Sequence, residues 1–444
     1  MVKKVLIANR GEIAVRIIRA CQELGLRTVA IHSVVDKESL HAKLADESVC
    51  IGPGPSIHSY LQIPNIMCAA EITGVDAIHP GYGFLAESDE FARVCAAYGI
   101  KFIGPTAEQI RTLGNKIEAR ALAIRSGVPL LPGTDGPVRT EEEALSFARS
   151  AGFPLIIKAA AGGGGRGMKI VRNETELPLQ FQLARKEAMV CFGNPDCFIE
   201  KYLENPRHVE VQLIADEHGN YTWLGERDCS IQRRHQKLIE ESPCPVLSEE
   251  ERVFVGERAV RLAQEASYQS LGTVEFLYQN GNFYFMEMNT RVQVEHPVTE
   301  IVMEADLIKE QIRIAQGQIL SIRGDGLRPR GHAMECRINA EDPESFAPWP
   351  GRITAYHEPG GPGIRIDSMI YNGYTVPSLY DSMIAKVISS GRDREECIRR
   401  MRRALGEMKI EGIRTNIPFH LKVLSNPAFV AGQVSTNFLN TALL

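Results

Sequence analysis

The sequence lacks the patterns that mark several large classes of protein. Its ten cysteines are scattered without a Cys-x-x-Cys pair, and no apolar run approaches the roughly 18–20 residues of a membrane helix. A formal net charge of −5 gives no general attraction to nucleic acid or to an anionic membrane surface. These absences exclude a disulfide scaffold, a structural zinc site and a membrane span. We expect a cytoplasmic protein with reduced thiols.

Short apolar runs and helical patterns alternate over the first part of the chain, which predicts βαβ units around a parallel sheet. Val5 to Ala8 has a strand pattern rather than that of a signal peptide, and Glu12 to Leu24 has a helical one. Gly127 to Pro137 is rich in chain breakers, as is Arg323 to Gly331. With 444 residues, the chain is expected to form two to four α/β domains.

A glycine-rich segment, Gly162 to Gly167, formally satisfies the G-x-G-x-x-G spacing. A dinucleotide fingerprint opens a helix, whereas here strand patterns lie on both sides, at Pro154 to Lys158 and at Met168 to Arg172. Strand, loop and strand predict a hairpin whose bare amides can cover phosphates, with Lys158 adding positive charge. A flexible surface hairpin is the alternative that the loop alone leaves open.

Within the segment from Glu287 to Pro297, charged or amide side chains recur at every second position as far as Glu295. In an extended chain the polar set shares one face, because successive side chains point to opposite sides. An acid, an amide, a base, an amide and an acid in this register suit a site that holds a metal, an anion and a proton acceptor. A solvent-facing sheet edge is the alternative. The shared-face set comprises Glu287, Asn289, Arg291, Gln293 and Glu295.

Two carboxylates, Glu275 and Glu287, lie on the arms of a predicted hairpin with Asn280-Gly281 at its turn. A strict two-residue loop would place them on opposite faces of the sheet. We predict a three-residue loop ending at Asn282, or a bulge elsewhere that restores the same register. Either one sets the two carboxylates opposite each other, where they could hold Mg²⁺ against phosphates.

A basic segment, Arg227 to Glu241, mixes cations with amides. It lacks the interleaved aromatic residues of a nucleic-acid surface, so an anion pocket for phosphate or bicarbonate is favoured. With this segment in place, the chain resembles the biotin carboxylase family of the ATP-grasp superfamily over essentially all 444 residues. Six motifs in the family's order carry the resemblance: Ala8 to Ala14, His79 to Leu85, Lys158 with Gly162 to Met168, Arg227 to Glu241, Glu287 to Glu300, and Met334 to Glu341.

The resemblance implies three domains: a Rossmann-like N-terminal domain (residues 1–112), an ATP-grasp domain (113–330, with a mobile glycine-rich lid at about 131–203) and a C-terminal biotin carboxylase domain (331–444). It also implies individual roles. The residues expected to bind ATP are Lys116, Lys158, Gly164, Gly165, Glu200, Lys201, Tyr202, Leu203, His208, Gln232, His235, Glu275 and Glu287. The residues expected to bind bicarbonate or biotin are Lys237, Arg291, Gln293, Val294, Glu295 and Arg337.

By the same resemblance, Glu275, Glu287 and Asn289 are expected to bind Mg²⁺ or Mn²⁺, two ions in all. Glu295 is the expected base, and the expected catalytic set consists of Glu295, Arg291, Arg337 and Lys237.

The implied activity is the ATP- and bicarbonate-dependent carboxylation of biotin through carboxyphosphate. No Met-Lys-Met biotin-attachment motif and no carboxyltransferase domain occur in the sequence, so biotin is expected on a separate carrier protein beside carboxyltransferase subunits. A homodimer is expected, with no nucleic-acid or membrane partner. Acetyl-CoA carboxylase is the expected assembly. The alternatives are a pyruvate or propionyl-CoA carboxylase, another ATP-grasp ligase such as a carboxylate–amine ligase, and a non-catalytic ATP sensor.

Overall fold

The computed structural model describes residues 2–160, 168–322 and 328–442. Gly164 and Gly165, expected in the phosphate-covering loop, lie outside the described residues. The described chain combines helices with parallel and antiparallel sheets, which confirms the predicted α/β class. Within these three ranges, no helix combines the length and the apolar character that crossing a membrane requires.

The N-terminal part contains β1 (Lys4–Ile7), α1 (Gly11–Glu23), β2 (Arg27–His32), α2 (Leu40–Leu44), β3 (Glu47–Cys50), α3 (Ile63–Thr73), β4 (Ala77–His79), α4 (Asp89–Ala97), β5 (Lys101–Phe102), α5 (Ala107–Gly114) and α6 (Lys116–Arg125). Its strands form the predicted parallel sheet, in the order β3-β2-β1-β4-β5. Ile13, Ile17 and Cys21 of α1 are buried, as their helical spacing predicts.

The glycine-rich segment joins two paired strands. This part contains α7 (Glu141–Ala151), β6 (Leu155–Ala159), β7 (Met168–Val171), α8 (Leu177–Phe192) and β8 (Cys197–Lys201). β6 pairs with β7 in antiparallel fashion, with Lys158 opposite Met168, and with β8 on its other side. The strands before and after the glycines therefore form the predicted hairpin, and Lys158 lies near its tip.

The remaining elements are β9 (Arg207–Ala215), β10 (Tyr221–Arg233), β11 (Gln236–Ser242), α9 (Glu249–Glu265), β12 (Ser270–Gln279), β13 (Asn282–Asn289), α10 (His296–Met303), α11 (Leu307–Ala315), β14 (His332–Asn339), β15 (Gly351–Arg352), β16 (Ala355–His357), β17 (Ile364–Ser368), β18 (Thr375–Val376), β19 (Met383–Gly391), α12 (Arg394–Glu407), β20 (Lys409–Glu411), α13 (Ile417–Leu424), α14 (Pro427–Val430) and α15 (Phe438–Ala442).

A single eight-stranded sheet has the order β13-β12-β9-β10-β11-β14-β19-β17. It crosses the domain limit expected at residue 330, because β11 pairs with β14 in antiparallel fashion from Ile239–Cys336 to Ser242–Ala333. The sheet therefore places a strand of the basic segment directly beside the strand that carries Arg337.

The β12–β13 hairpin has the predicted register but not the predicted loop. Gln279 pairs with Asn282, so the turn has two residues, Asn280 and Gly281, both with positive φ. The register shifts further along, where Met286 forms a bulge, and Glu275 then lies opposite Glu287. The three-residue loop was therefore wrong, whereas the alternative bulge and the shared face of the two carboxylates are confirmed.

The prediction of one extended strand from Glu287 to Pro297 is wrong beyond Asn289, where β13 ends. β13 is the edge strand of its sheet, so hydrogen bonds on one side only could keep the residues after it extended. The next helix, α10, begins at His296, and Pro297 in its first turn favours this start. Glu295 is the residue before the helix, with φ −81° and ψ 9°.

Candidate active site

A largely buried lysine lies at the centre of the charged groups. Lys237 Nζ donates hydrogen bonds to three carboxylates, those of Glu210 (2.6 Å), Glu275 (2.8 Å) and Glu295 (2.7 Å). Burial by itself would lower the pKa of Lys237, but the three carboxylates outweigh it and raise that pKa well above its usual value. The lysine is therefore a permanent cation that gathers acidic groups from β9, β12 and the start of α10.

The carboxylate of Glu295 lies between two cations. Its Oε1 accepts from Lys237, and its Oε2 accepts from Arg337 Nη2 at 3.0 Å. Burial would raise the pKa of Glu295, but Lys237, Arg337 and Arg227 together lower it well below its usual value. Glu295 is therefore ionised at neutral pH, which is the state that a proton acceptor requires.

Arg337 is held from several sides. Its Nε donates to Glu240 Oε1 at 2.6 Å, and its backbone carbonyl accepts hydrogen bonds from Asn416 Nδ2 (3.0 Å) and His420 Nε2 (2.7 Å). Its other terminal nitrogen, Nη1, has no protein partner in the described part of the chain. The guanidinium therefore keeps the N–H groups of Nη1 as donors for an anion or a polar substrate atom.

Glu210 is a site residue that the sequence reasoning missed. It lies on β9 and is fully buried, and Arg227 Nε donates to its Oε1 at 2.5 Å. Arg227 also donates from Nη1 to Gln212 Oε1 at 2.8 Å and to Thr299 Oγ1 at 2.9 Å. The signal that could have revealed Glu210 is the alternation of His208, Glu210 and Gln212 along one strand.

Arg291 is placed by the loop between β13 and α10 instead of by a strand. Its guanidinium donates to Asn289 Oδ1 (3.1 Å), Gln293 Oε1 (2.9 Å) and Glu87 Oε2 (3.0 Å). Gln293 Nε2 in turn donates to Glu275 Oε1 at 3.0 Å. The polar residues beyond Asn289 therefore converge on the site although the strand has ended. No pattern in the sequence pointed to Glu87.

Glu275 and Glu287 offer the oxygen ligands that Mg²⁺ prefers. They are register partners on one face, which places their Cβ atoms about 4.5–5.5 Å apart. Desolvation raises the pKa of Glu287, and the negative charges of Glu275 and Glu87 add to the effect, whereas Lys116 opposes it. Asn289 adds an amide beside them, because its Nδ2 donates to Glu275 Oε1 at 2.9 Å. This donor set fits a divalent cation.

The two lysines expected at the ATP phosphates lie close to each other. Lys158 Nζ is 2.5 Å from Glu200 Oε2, and Arg120 Nη1, which the sequence reasoning missed, is 2.7 Å from Glu200 Oε1. Burial lowers the pKa of Lys116 and the charge of Lys158 adds to this effect, while Glu287 and Glu200 oppose it. Two lysines that repel each other beside carboxylates expected to bind a metal fit a polyphosphate.

The expected adenosine-binding segment, Glu200 to Leu203, spans the end of β8. Lys201 Nζ donates to the carbonyl of Phe153 at 2.9 Å, and the amide of Tyr202 donates to the carbonyl of Pro154 at 3.0 Å. These bonds tie the segment from Glu200 to Leu203 to the strand that carries Lys158.

Four expected residues lie elsewhere around the centre. His208 Nε2 is 3.1 Å from Glu275 Oε2, and is therefore beside the metal-type carboxylates. Gln232 lies near the end of β10, opposite Lys237, and His235 lies exposed in the turn between β10 and β11. The carbonyl of Val294 accepts a hydrogen bond from Lys386 Nζ at 2.9 Å. The backbone amide of Val294 is then the group that can donate to an anion.

The sheets and the site together define the class of the protein. A glycine-containing hairpin with a lysine faces a second antiparallel sheet that carries paired carboxylates. This is the arrangement of an ATP-grasp enzyme, which grips the nucleotide between two sheets. The Lys237, Glu295 and Arg337 cluster adds a basic pocket with an ionised carboxylate beside the metal-type residues.

Comparison with known proteins agrees with this class. Residues 1–110 match the biotin carboxylase N-terminal domain, residues 115–323 match the carbamoyl-phosphate synthase L chain ATP-binding domain, and residues 335–441 match the biotin carboxylase C-terminal domain. The biotin carboxylase of Pseudomonas aeruginosa is 56% identical over 444 residues, covering 100% of this chain and 99% of the relative.

Solved structures give the same result. The complex of Campylobacter jejuni biotin carboxylase with β-γ-ATP superimposes with a TM-score of 0.95 at 47% identity, covering 99% of each chain. The biotin carboxylase domain dimer of Hydrogenobacter thermophilus 2-oxoglutarate carboxylase, with MgADP, ADP and bicarbonate, gives 0.94 at 48% identity, covering 99% of this chain and 97% of that one. The chain belongs to the biotin carboxylase family and is an ATP-dependent ligase.

Proposed function

We propose that this chain carboxylates biotin on a separate carrier protein, as the first half-reaction of an acetyl-CoA carboxylase. The observation that carries this proposal is the ionised Glu295, which lies between Lys237 and Arg337 and beside the metal-type carboxylates. Such a cluster can hold bicarbonate, take up its proton and leave its oxygen facing the γ-phosphate of ATP. Carboxyphosphate is the expected product of that step.

Each residue of the cluster has a physical role in the proposed reaction. Lys237, Arg291 and Arg337 orient bicarbonate, which makes the attack on ATP effectively intramolecular. Glu295 accepts the proton of bicarbonate, with Gln293 and the Val294 amide as further contacts. Arg337 then stabilises negative charge on the ureido oxygen of biotin through a charge-assisted hydrogen bond. These assignments follow the family motifs and are supported by the convergence of the side chains.

The nucleotide side of the proposed site uses the remaining residues. Lys116 and Lys158 neutralise the phosphates, with Gly164 and Gly165 as the covering loop, and the segment Glu200 to Leu203 binds adenine and ribose with His208, Gln232 and His235. Mg²⁺ or Mn²⁺ held by Glu275, Glu287 and Asn289, as two ions, would stabilise the charge on the transferred phosphoryl group.

Relatives from other biotin-dependent carboxylases compete with the choice of acetyl-CoA carboxylase. A pyruvate carboxylase component from Methanothermobacter thermautotrophicus is 52% identical over 442 residues, covering 99% of this chain and 90% of that relative. The biotin carboxylase component of a pyruvate carboxylase is therefore the second candidate. The final acceptor is determined by the carboxyltransferase, which differs between the two assemblies.

The proposal includes three further features: domain limits at 112 and 330, a cytoplasmic location, and a homodimer. We expect light scattering at micromolar concentration to give about twice the 49.2 kDa chain mass. The surface around Arg19 and Glu23 of α1 is the expected contact, together with the segment around Arg365. Arg365 is also bound within the chain, to Glu300 (2.7 Å) and Asp367 (2.8 Å). A monomer alone would contradict the dimer.

The activity itself is tested with the purified chain. We expect ATP cleavage that requires bicarbonate and is accelerated by free biotin, and that stops when EDTA removes Mg²⁺. Carboxybiotin, trapped from labelled bicarbonate, is the product to be measured. ATP cleavage that is independent of bicarbonate would contradict the proposal, and so would bicarbonate-dependent cleavage without labelled biotin at saturating biotin.

A further inference from the structure

Two buried carboxylates lie directly behind Arg337. Glu240 of β11 and Glu335 of β14 are register partners, and neither is exposed to solvent. Side chains of register partners point to the same face, with Cβ atoms about 4.5–5.5 Å apart, so their carboxyl groups can touch. No family motif role accounts for Glu240 or for Glu335, and the proposed mechanism does not use either one.

The hydrogen bonding of this pair is incomplete. Glu240 Oε1 accepts from Arg337 Nε at 2.6 Å, but Glu240 Oε2 and both oxygens of Glu335 have no partner among the described residues. A buried carboxylate without partners is strongly unfavourable, because it loses its hydration and gains nothing in return. Two facing carboxyl groups remove this cost if a single proton lies between them, because one then donates to the other.

The neighbouring cations make no hydrogen bond to Glu335 within the described residues. Lys386, the register partner of Arg337, has its Nζ 3.1 Å from Glu12 Oε1 and donates to the Val294 carbonyl at 2.9 Å. Arg337 is shared between Glu240 and Glu295. The bonds that these two cations make therefore go to other acceptors, and Glu335 receives none of them.

We propose that Glu240 and Glu335 share one proton, and that this singly charged carboxyl pair is a positioning device that holds Arg337 for the carboxylation of biotin. Glu240 carries the charge and binds Nε, while Glu335 is neutral and donates to Glu240 Oε2. Loss of the proton would place a second negative charge behind Arg337. The guanidinium would then be drawn toward Glu335, away from Glu295 and from substrate.

The protonation behaviour of the pair agrees with this geometry. Burial raises the pKa of Glu240 to about 7, with Arg337 opposing the effect and Glu295 adding to it. Burial also raises the pKa of Glu335 well above its usual value, with Lys386 opposing and Glu240 adding. Because a raised carboxyl pKa favours the protonated form, the shared proton is present at neutral pH and is lost as the pH rises.

The charged and titratable groups that face the pair come from several elements. They are Lys237, Glu295, Arg337 and Lys386, the Cys336 and Cys229 thiols, and, through Lys386, Glu12 with the Tyr82 hydroxyl that donates to it. Burial raises the pKa of both thiols well above the usual value, so neither competes for the proton at neutral pH. We therefore expect loss of the shared proton from the carboxyl pair to lower activity as the pH rises.

The test is the pH dependence of kcat/KM for free biotin in the full-length protein. The side chain introduced by Glu335→Gln cannot ionise. We therefore expect the alkaline limb of the pH profile, where kcat/KM falls at high pH, to move to higher pH by at least about one unit. This shift gives roughly tenfold higher kcat/KM than wild type at the highest pH measured. Glu335→Met is a second neutral side chain of similar length and should show the same shift if Glu335→Gln folds poorly.

Glu226→Gln is the matched control. Glu226 is also fully buried, binds an arginine through Oε1 (Arg252 Nη1, 2.7 Å) and has an unpartnered Oε2, but it lies outside the site. We expect its alkaline limb to match that of wild type. If the folded Glu335 variants lose kcat/KM at the same pH as wild type, the proposal is overturned.

Infrared spectroscopy provides a readout that does not depend on turnover. Wild-type protein should show a protonated-carboxyl C=O stretch at neutral pH that disappears with the same midpoint as the alkaline limb. The band should be absent from Glu335→Gln and from Glu335→Met. Persistence of every protonated-carboxyl band in these variants would show that Glu335 is ionised, and the proposal would fail.

Discussion

Replacing Glu295 with Gln will lower bicarbonate-dependent turnover by about 100-fold or more, while ATP affinity stays near that of wild type. The substitution preserves size and polarity but removes the group that accepts a proton. The ATP-binding residues are expected to be little affected, because Glu295 contacts Lys237 and Arg337 and neither lysine of the phosphate region. Steady-state kinetics with varied bicarbonate and ATP provide the measurement.

The strength of Glu295 as a base depends on its neighbours. In the free enzyme, Lys237 and Arg337 lower the pKa of Glu295, which makes it a poor proton acceptor. Bicarbonate is an anion that must bind to the same two cations. When it shares their positive charge, Glu295 loses part of its stabilisation and becomes more basic. Binding of the substrate therefore increases the basicity of the group that deprotonates it.

Glu241→Gln is the control for this experiment. Glu241 lies on β11 and is also buried and ion-paired, with His332 (2.8 Å) and Arg394 (2.6 Å), but it faces away from Lys237. We expect its loss to affect stability more than turnover. Full turnover by Glu295→Gln would show that Glu295 is not the base, and another group would have to receive the proton.

Replacing Lys237 with Met will lower both stability and activity. The substitution leaves Glu210, Glu275 and Glu295 buried together without their common partner, and breaking a buried ion pair in this way costs about 3–5 kcal/mol. Bicarbonate also loses one of its three expected cations. We expect turnover to fall by about 100-fold or more, and denaturant unfolding to show the loss of stability.

A double variant separates the two effects. Lys237→Met with Glu210→Gln removes one of the three repelling charges, so part of the lost stability should return. Turnover should not return, because the bicarbonate cation is still missing. Recovery of turnover together with stability would mean that Lys237 only maintains the fold. Native-like stability of Lys237→Met alone would contradict the buried network.

Local patterns predicted much of this fold because their periods are determined by backbone geometry. The strand patterns of β6 and β7 and the helical spacing in α1 both appear in the structure. The stretch after Asn289 shows where that approach fails. Its alternation of polar residues is real, but β13 is an edge strand and Pro297 favours a helix start, so tertiary context overrides the period.

Residues that reach the site from distant segments were the hardest to predict. Glu87 binds Arg291 across 204 positions of sequence, and Glu210 meets Lys237 only after β9 and β11 have joined the same sheet. A single sequence has no local period that relates such residues. The β12–β13 register was predictable because both carboxylates had to share one face, but the position of the bulge that achieves this was not.

The continuous sheet across residue 330 has a consequence for how the protein can be divided. Lys237 and Glu240 lie on one side of that limit in sequence and Arg337 lies on the other, yet their strands are neighbours. A cut at 330 would leave the edges of β11 and β14 unpaired, and would separate the two halves of the bicarbonate pocket. A chimera of two related proteins should therefore take the whole region from β9 to β19 from one parent.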